Sequence, residues 1–175
     1  KSVVIGNGVE EIGENVFYKC FSLHSATIPN NVTSIGKQAF QDCDDLKSIT
    51  IPNSITTIGN YAFSGCSSLT SVSIPGSVID VGEHTFEGCK SLKSLNINDS
   101  HIPLILSSTD FANCPLEEIY IGRDGFGIAF KGITTLEEIT LGEKLTNIEN
   151  LAFDGCTSLT TLTALPIIPP TLASD

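Results

Sequence analysis

LKSITIPNSITTIGNYAFSGCSS (46–68) is followed at once by LTSVSIPGSVIDVGEHTFEGCKS (69–91). The two stretches have the same length and agree at their apolar, Pro, Gly, Phe and Cys positions. Outward from them, Phe17, Phe40, Phe63 and Phe86 stand 23 residues apart, and Cys20, Cys43, Cys66 and Cys89 each follow a Phe by three. A fixed period in the twenties marks a solenoid, in which each repeat is one coil that buries its apolar face by stacking on the next.

The template reads L-x-x-[IVL]-x-[IL]-P-x-x-[VI]-x-x-[IV]-G-x-x-[AT]-F-x-G-C-x-x. Its first part predicts a short strand, in LHSATI (23–28), LKSITI (46–51), LTSVSI (69–74), LKSLNI (92–97), LEEIYI (116–121), LEEITL (136–141) and LTTLTA (159–164). SVVI (2–5) is the end of one more copy. The alternating I-x-I endings suit strands half-buried on one face. Stacked one per coil, they make a parallel sheet. Pro29, Pro52 and Pro75 follow the strand and end it, because proline has no N–H for the ladder. A second apolar pair comes next, as in Val32/Ile35, Ile55/Ile58 and Val78/Val81. A tight bend is expected at the following Gly13, Gly36, Gly59 or Gly82. A single helical turn is then expected around Gln38-Ala39-Phe40 and its counterparts. Two residues after each Phe stand Lys19, Asp42, Gly65, Gly88, Asn113, Gly132 and Gly155. Gly, Asn and Asp tolerate a left-handed backbone, so this column reads as the stop of that turn.

The rhythm breaks once. Phe86 to Phe111 is 25 residues and Phe111 to Phe130 is 19, before the step of 23 returns at Phe153. The insertion lies in NDSHIPLILSSTD (98–110). Most of the deletion lies in GRDGFGIA (122–129), and one further residue is lost at Asn113-Cys114-Pro115-Leu116. Coils over 98–130 are therefore expected to be irregular within a single repeat domain spanning 1–175.

The IP…IG…AF.GC..L runs at 28–46, 51–69 and 74–92, and more loosely 148–159, resemble the BspA-like family of bacterial leucine-rich repeats. The resemblance covers residues 1–165. It implies an α/β, β-rich, right-handed horseshoe of about seven coils, with a parallel sheet on one face and short helical turns on another. It also implies a secreted or surface-exposed bacterial protein linked with adhesion, and it carries no catalytic residues. The tail ALPIIPPTLASD (164–175) departs from the template, as Pro-rich strand ends do inside longer family members, so the chain is expected to be a fragment of a longer array.

Composition narrows the functional classes. The net charge is −11. Nucleic-acid binding calls for Lys/Arg stripes, and anionic membranes call for basic clusters, so neither is an expected partner. No run reaches the ~18 apolar residues of a membrane-spanning helix. The six cysteines, Cys20, Cys43, Cys66, Cys89, Cys114 and Cys156, share one template position. Ile133 holds that position in another copy. An apolar stand-in marks a buried slot for a small hydrophobe, so free buried thiols are expected rather than disulfides or metal ligands. The column of Phe17, Phe40, Phe63, Phe86, Phe111, Phe130 and Phe153 is the expected core.

Other candidates carry less. His24 takes a template position that is exposed, and pairing His84 with Cys89 for catalysis would need the thiol outside the core. Asp42, Asp44 and Asp45 could suggest calcium, but the next copy has Gly65, Ser67 and Ser68 there, which favours a solvated turn. Asn31-Val32-Thr33 and Asn98-Asp99-Ser100 match a glycosylation sequon and read as chance in a bacterial protein. No cofactor is expected.

The outward sheet positions are more informative. One column runs Ser25, Ser48, Ser71, Ser94, Glu118, Glu138, Thr161, and the next Thr27, Thr50, Ser73, Asn96, Tyr120, Thr140, Thr163. Small hydroxyls there can simply be strand formers. Where Glu117, Glu118, Glu137 and Glu138 gather around Tyr120, with Thr140 and Asn96 beside it, the face becomes a candidate binding surface. Those carboxylates can equally serve solubility. Three readings follow: a non-enzymatic module binding a protein or glycan, a passive spacer projecting another module, and, least favoured, an enzyme. The regular copies favour a spacer and the irregular ones favour binding.

Overall fold

The computed structural model describes residues 1–165. They form a parallel β-solenoid of about seven turns. Coils are counted here by their Phe: coil one ends at Ser22, and coils two to seven occupy 23–45, 46–68, 69–91, 92–115, 116–135 and 136–158. Coil one holds β1 (Ser2–Val4) and β2 (Glu11–Ile12), and coil two holds β3 (Ser25–Thr27) and β4 (Ser34–Ile35). Coil three holds β5 (Ser48–Ile49) and β6 (Thr57–Ile58), and coil four holds β7 (Ser71–Ile74) and β8 (Asp80–Val81). Coils five, six and seven contribute β9 (Ser94–Ile97), β10 (Glu118–Ile121) and β11 (Glu138–Leu141), and β12 (Thr161–Ala164) opens the next coil.

The odd-numbered strands of coils one to four and β9–β12 line one side, paired in parallel as β1-β3-β5 and β7-β9-β10-β11-β12. Register is kept throughout, so Val72, Leu95, Ile119 and Ile139 stack inward in one row. The second apolar pair builds a sheet of its own, β2-β4-β6-β8, with Ile12, Ile35, Ile58 and Val81 in line. That sheet stops after coil four, where the insertion begins.

The expected helical turn is not there: the described residues contain no helix. Hydrogen bonding gives the reason. In coil two, Ala39 N–H donates to Gly36 O (3.2 Å), Gln41 to Gln38 (3.2 Å) and Cys43 to Phe40 (3.3 Å), which closes successive β-turns. The intervening amides leave the coil: Gln38 donates to Asn60 O (2.9 Å), Phe40 to Ala62 O (2.8 Å) and Asp42 to Ser64 O (2.8 Å). A helix would need all of them internally. Gln38 and Asp42 also have φ of 56°, so the third residue of alternate turns is left-handed and a right-handed helix cannot form. All seven residues of the expected left-handed column have φ between 56° and 79°.

The glycines open the expected bend, with Ala39 N–H bonded to Gly36 O and Ala62 N–H to Gly59 O (3.2 Å each), and they serve a second purpose. A Cβ on Gly36 would meet Gly13 C at 2.7 Å, and one on Gly59 would meet Lys37 N at 2.6 Å. Neither residue is left-handed. Glycine is needed there because successive coils touch backbone to backbone.

Inside, Phe17, Phe40, Phe63, Phe86 and Phe111 form a ladder of stacked rings with centroids 5.0–5.6 Å apart. Phe40, Phe63 and Phe86 have no solvent exposure, whereas Phe17 and Phe153 are half-buried near the ends. Phe126, from the shortened stretch, inserts beside Phe130 and Phe153 at 5.9 and 5.8 Å. Cys43, Cys66, Cys89 and Cys114 are buried, Cys20 and Cys156 are half-buried, and all six are free. Five thiols donate to the Phe carbonyl of the preceding coil: Cys43 to Phe17 (3.2 Å), Cys66 to Phe40 (3.2 Å), Cys89 to Phe63 (3.3 Å), Cys114 to Phe86 (3.1 Å) and Cys156 to Phe130 (3.1 Å). A small apolar residue with a weak donor fits this slot better than Ala or Val. Burial pushes the Cys43 thiol up to about 12, and the neighbouring Cys114 thiol together with burial raises Cys89. Alkylation of the native protein at about pH 8 is therefore expected to spare Cys43, Cys66 and Cys89, while denaturation exposes all six to the reagent. Mass spectrometry showing modification of those three before unfolding would contradict the packing.

One buried slot holds an acidic side chain. Ala39, Ala62, Thr85, Asp110, Ala129 and Ala152 occupy the position before Phe, and Asp110 is 1% exposed. Its Oδ2 accepts from Ser107 N–H (2.7 Å), and its Oδ1 has no partner. Burial raises its pKa, opposed by the amides of Ser107, Thr85 and His84. A raised value means that the folded chain holds this proton more tightly than the unfolded chain. The contribution to stability is thus complete below the unfolded value of about 3.9 and is lost as pH rises through the folded value. Asp110→Asn is expected to flatten that slope in urea midpoints measured from about pH 3 to about pH 7. An unchanged slope would assign the pH dependence to other groups.

Candidate functional site

The outward face of β9, β10 and β11 carries the site suggested by the sequence. Parallel register sets Glu118 between Ser94 and Glu138, and Tyr120 between Asn96 and Thr140. These six side chains rim a shallow recess of about 200 Å³ with Leu95 and Ile119 at its floor. Asn96, Glu118, Tyr120, Glu138 and Thr140 are thus brought together. Glu117 and Glu137 lie outside, each one residue before its strand. Glu117 is also held by Lys93, whose Nζ stands 2.6 Å from Oε1. Among the described residues, neither Glu118 nor Glu138 meets a cation. Like charges directly across neighbouring strands repel, so the pair carries a local cost.

Tyr120 is oriented by a residue the sequence reading did not single out. Its hydroxyl donates to Asp99 Oδ1 (2.9 Å). Burial, that hydrogen bond and the negative charge of Asp99 push its pKa up to about 12, so the phenol stays neutral. The signal was the exchange of proline for glycine. Regular coils place Pro29, Pro52 and Pro75 after the strand, whereas coils six and seven place Gly122 and Gly142 there. A Cβ on Gly142 would meet the Tyr120 hydroxyl at 2.5 Å and Asp99 Oδ1 at 2.6 Å, and one on Gly122 would meet Asp99 N at 2.5 Å. Glycine at both positions leaves room for the Asp99–Tyr120 pair.

Arg123 was also missed. It is the only arginine in the chain and is 1% exposed. It reaches past coil five into coil four: Nη1 donates to Val78 O (2.7 Å) and Gly76 O (3.3 Å), and Nη2 to Pro75 O (3.0 Å). Its Nε is buried without a partner, and burial lowers its pKa from the usual guanidinium value. In two regular coil pairs the equivalent carbonyl is met from the next coil: Asn31 Nδ2 donates to Val9 O (2.6 Å) and Ser77 Oγ to Ile55 O (2.8 Å). The insertion in coil five removes that neighbour, and Arg123 spans the gap. Next to it, Asp124 accepts from Thr146 N–H (2.8 Å), Asn147 N–H (2.9 Å) and the Thr146 hydroxyl, which ties coil six to coil seven. Burial opposes ionisation of Asp124, but those hydrogen bonds prevail and lower its pKa.

No group of three or more His, Cys, Asp or Glu among the described residues could hold a metal ion. His24 is exposed, 3.9 Å from Asp45, and His84 stacks on Tyr61 with its Nδ1 3.0 Å from Glu87.

Comparison with curated proteins found no match. Among solved structures, the chain is similar to a leucine-rich-repeat protein of T. pallidum at 28% identity and a TM-score of 0.72, covering 91% of this chain and 78% of that one. It is similar to a leucine-rich-repeat protein of Eubacterium ventriosum at 28% identity and a TM-score of 0.65, covering 80% of this chain and 38% of that one. The pneumococcal vaccine antigen PcpA shares the fold at 24% identity and a TM-score of 0.72, with 94% and 41% covered. The chain thus spans well under half the length of two of these proteins. The family model described as BspA type leucine rich repeat region matches residues 10–126 and 105–169 in six copies. On that match, carried by the same Phe, Cys and Gly columns that build the coils, the chain belongs to the BspA-type leucine-rich-repeat family.

Proposed function

We propose that this chain is a non-enzymatic, surface-exposed or secreted module that binds a protein or glycan through the acidic recess on β9–β11. The carrying observation is the in-register pair Glu118 and Glu138, unpaired with any cation among the described residues and set beside the fixed hydroxyl of Tyr120. A partner with a basic group would relieve their repulsion. Solenoids bind along extended sheet faces. This face has a single aromatic among its outward positions, which suits a weak contact repeated in a longer array. Its location is supported by the family likeness, and no helix of the described residues is long and apolar enough to cross a membrane.

A second reading, a spacer, is favoured by the uniform outward Ser25, Ser48 and Ser71 of coils two to four. A glycan array and a pull-down with this chain separate the two readings. Binding should weaken at least tenfold in Tyr120→Ala and in a variant with Glu117, Glu118, Glu137 and Glu138 changed to Gln, and should fall with salt. Binding that survives both changes without salt dependence removes this recess; no ligand at all favours the spacer.

A further inference from the structure

The hydrogen-bonding groups of the recess on β9–β11 are one-sided, and they decide which basic partner fits it. The row at the strand starts runs Ser94, Glu118, Glu138, and the row beyond it runs Asn96, Tyr120, Thr140. Glu118 and Glu138 bring four carboxylate oxygens, and Ser94, Asn96 and Thr140 add two hydroxyls and an amide carbonyl. Among the described residues, no Lys, Arg or His lines it. The lysine next to Ser94 is already engaged, because Lys93 Nζ stands 2.6 Å from Glu117 Oε1. An occupant must therefore bring positive charge and several N–H donors.

Two features set the shape of that occupant. Neighbouring parallel strands lie about 4.8 Å apart, so the two in-register carboxylates stand close enough for one cation to bond both. The Tyr120 hydroxyl is held by Asp99 (2.9 Å), and a Cβ on Gly142 would meet it at 2.5 Å. Asp99 and Gly142 lie past the ends of β9 and β11, so the ring leans toward the strand ends, away from Glu118. It stands as a fixed aromatic wall of the recess, with the buried Leu95 and Ile119 below. A flat cation that meets a ring and two carboxylates together suits this arrangement better than a compact one. Guanidinium carries five N–H donors in one plane, is weakly hydrated and is favoured against aromatic faces. An ammonium group has three donors, holds its water more tightly and leaves part of the acceptor set unused.

We propose that the recess takes an arginine side chain, so that its partner is a protein presenting an exposed arginine rather than a glycan. This assignment rests on the reading of the recess as a binding surface and adds the chemistry of what enters it. The partner is not a second copy of this chain. Its only arginine, Arg123, is 1% exposed and bonded to coil four, and a net charge of −11 opposes self-association.

The test is an amide-resolved NMR titration of the ¹⁵N-labelled chain with acetyl-Gly-Arg-Gly-amide, acetyl-Gly-Lys-Gly-amide and the citrulline analogue, which keeps the shape of arginine without its charge. The arginine peptide is expected to give saturable shifts at residues 94–96, 118–120 and 138–140 and to bind about tenfold tighter than the lysine peptide, with none from citrulline. Tyr120→Leu keeps an apolar side chain but removes the ring, and it should bring the arginine peptide down to the lysine level. Glu118→Gln together with Glu138→Gln should abolish binding of both peptides, with the rest of the spectrum retained in each variant. Equal binding of arginine and lysine, or an arginine preference that survives Tyr120→Leu, would overturn the assignment to arginine while the basic-partner reading stands. Saturable shifts of the same residues from calcium chloride or glucosamine at equal or lower concentration would overturn it too. Shifts from none of the peptides would remove the recess itself as a binding surface.

Discussion

Phe63→Ala is expected to destabilise the chain by about 3–5 kcal/mol, the range for removing a buried aromatic side chain. Phe63 has no solvent exposure and stacks between Phe40 and Phe86, with centroids 5.4 Å away on each side and interplanar angles of 6° and 5°. The backbone around it cannot collapse to fill the hole. Phe63 N–H donates to Thr85 O (2.9 Å) and its carbonyl accepts the Cys89 thiol, which hold the coils at fixed spacing. Urea denaturation of the two proteins measures the difference. A loss below about 1 kcal/mol would mean that neighbouring rings close the cavity, and the ladder would then not be the rigid core described here.

Arg123→Met should cost a similar amount by another route. Methionine keeps an unbranched apolar stem but removes every donor, leaving the carbonyls of Gly76 and Val78 without the guanidinium. Hydrogen bonds to a charged group are worth about 1.5–3 kcal/mol each, and the relief of burying a cation offsets part of the loss. A net cost of about 2–4 kcal/mol is expected. Arg123→Lys should recover little, because an ammonium group cannot reproduce the fork that meets Pro75, Gly76 and Val78 at once. Hydrogen exchange should locate the damage at β8 and residues 98–110 rather than in coils one to three. A neutral or stabilising Arg123→Met would show that the cost of burying the charge outweighs its bonds.

The legible part of the fold was whatever repeats. Strands, register and the seven left-handed residues from Lys19 to Gly155 could be read because each column samples one chemical demand many times. The second left-handed column could not. Asn15, Gln38, Tyr61, His84 and Leu151 all have φ between 56° and 62°, yet they share no side-chain type, because turn geometry imposed by inter-coil hydrogen bonds overrides local preference. That same bonding is why a helical turn was expected and a chain of β-turns was found. Singular features were the least legible. Arg123 and Asp110 each appear once, in the coils whose lengths differ, so no neighbouring copy revealed that one spans a missing coil contact and the other occupies an alanine slot. At the recess, the sequence supplied the residues and the register grouped them, but Asp99 became visible only through the room left at Gly122 and Gly142.

The Phe–Cys corner is woven: alternate amides tie a coil to itself and to its neighbour, so no regular coil can loosen without tearing both kinds of thread. A one-dimensional array of this kind behaves cooperatively as far as its weakest junction. The seam between coils five and six, where among the described residues Phe111 and Asn113 donate to no carbonyl of the next coil, lacks this weave, and it divides the chain into blocks of residues 1–115 and 116–165 that the β9–β10 pairing still joins. Arg123 is the rivet across it, rooted in the second block and fastened to coil four of the first. Whether heat or pulling force opens this solenoid in one event or two therefore depends on Arg123 acting with the β9–β10 pairing and the Leu104 and Leu106 amides that also cross the seam.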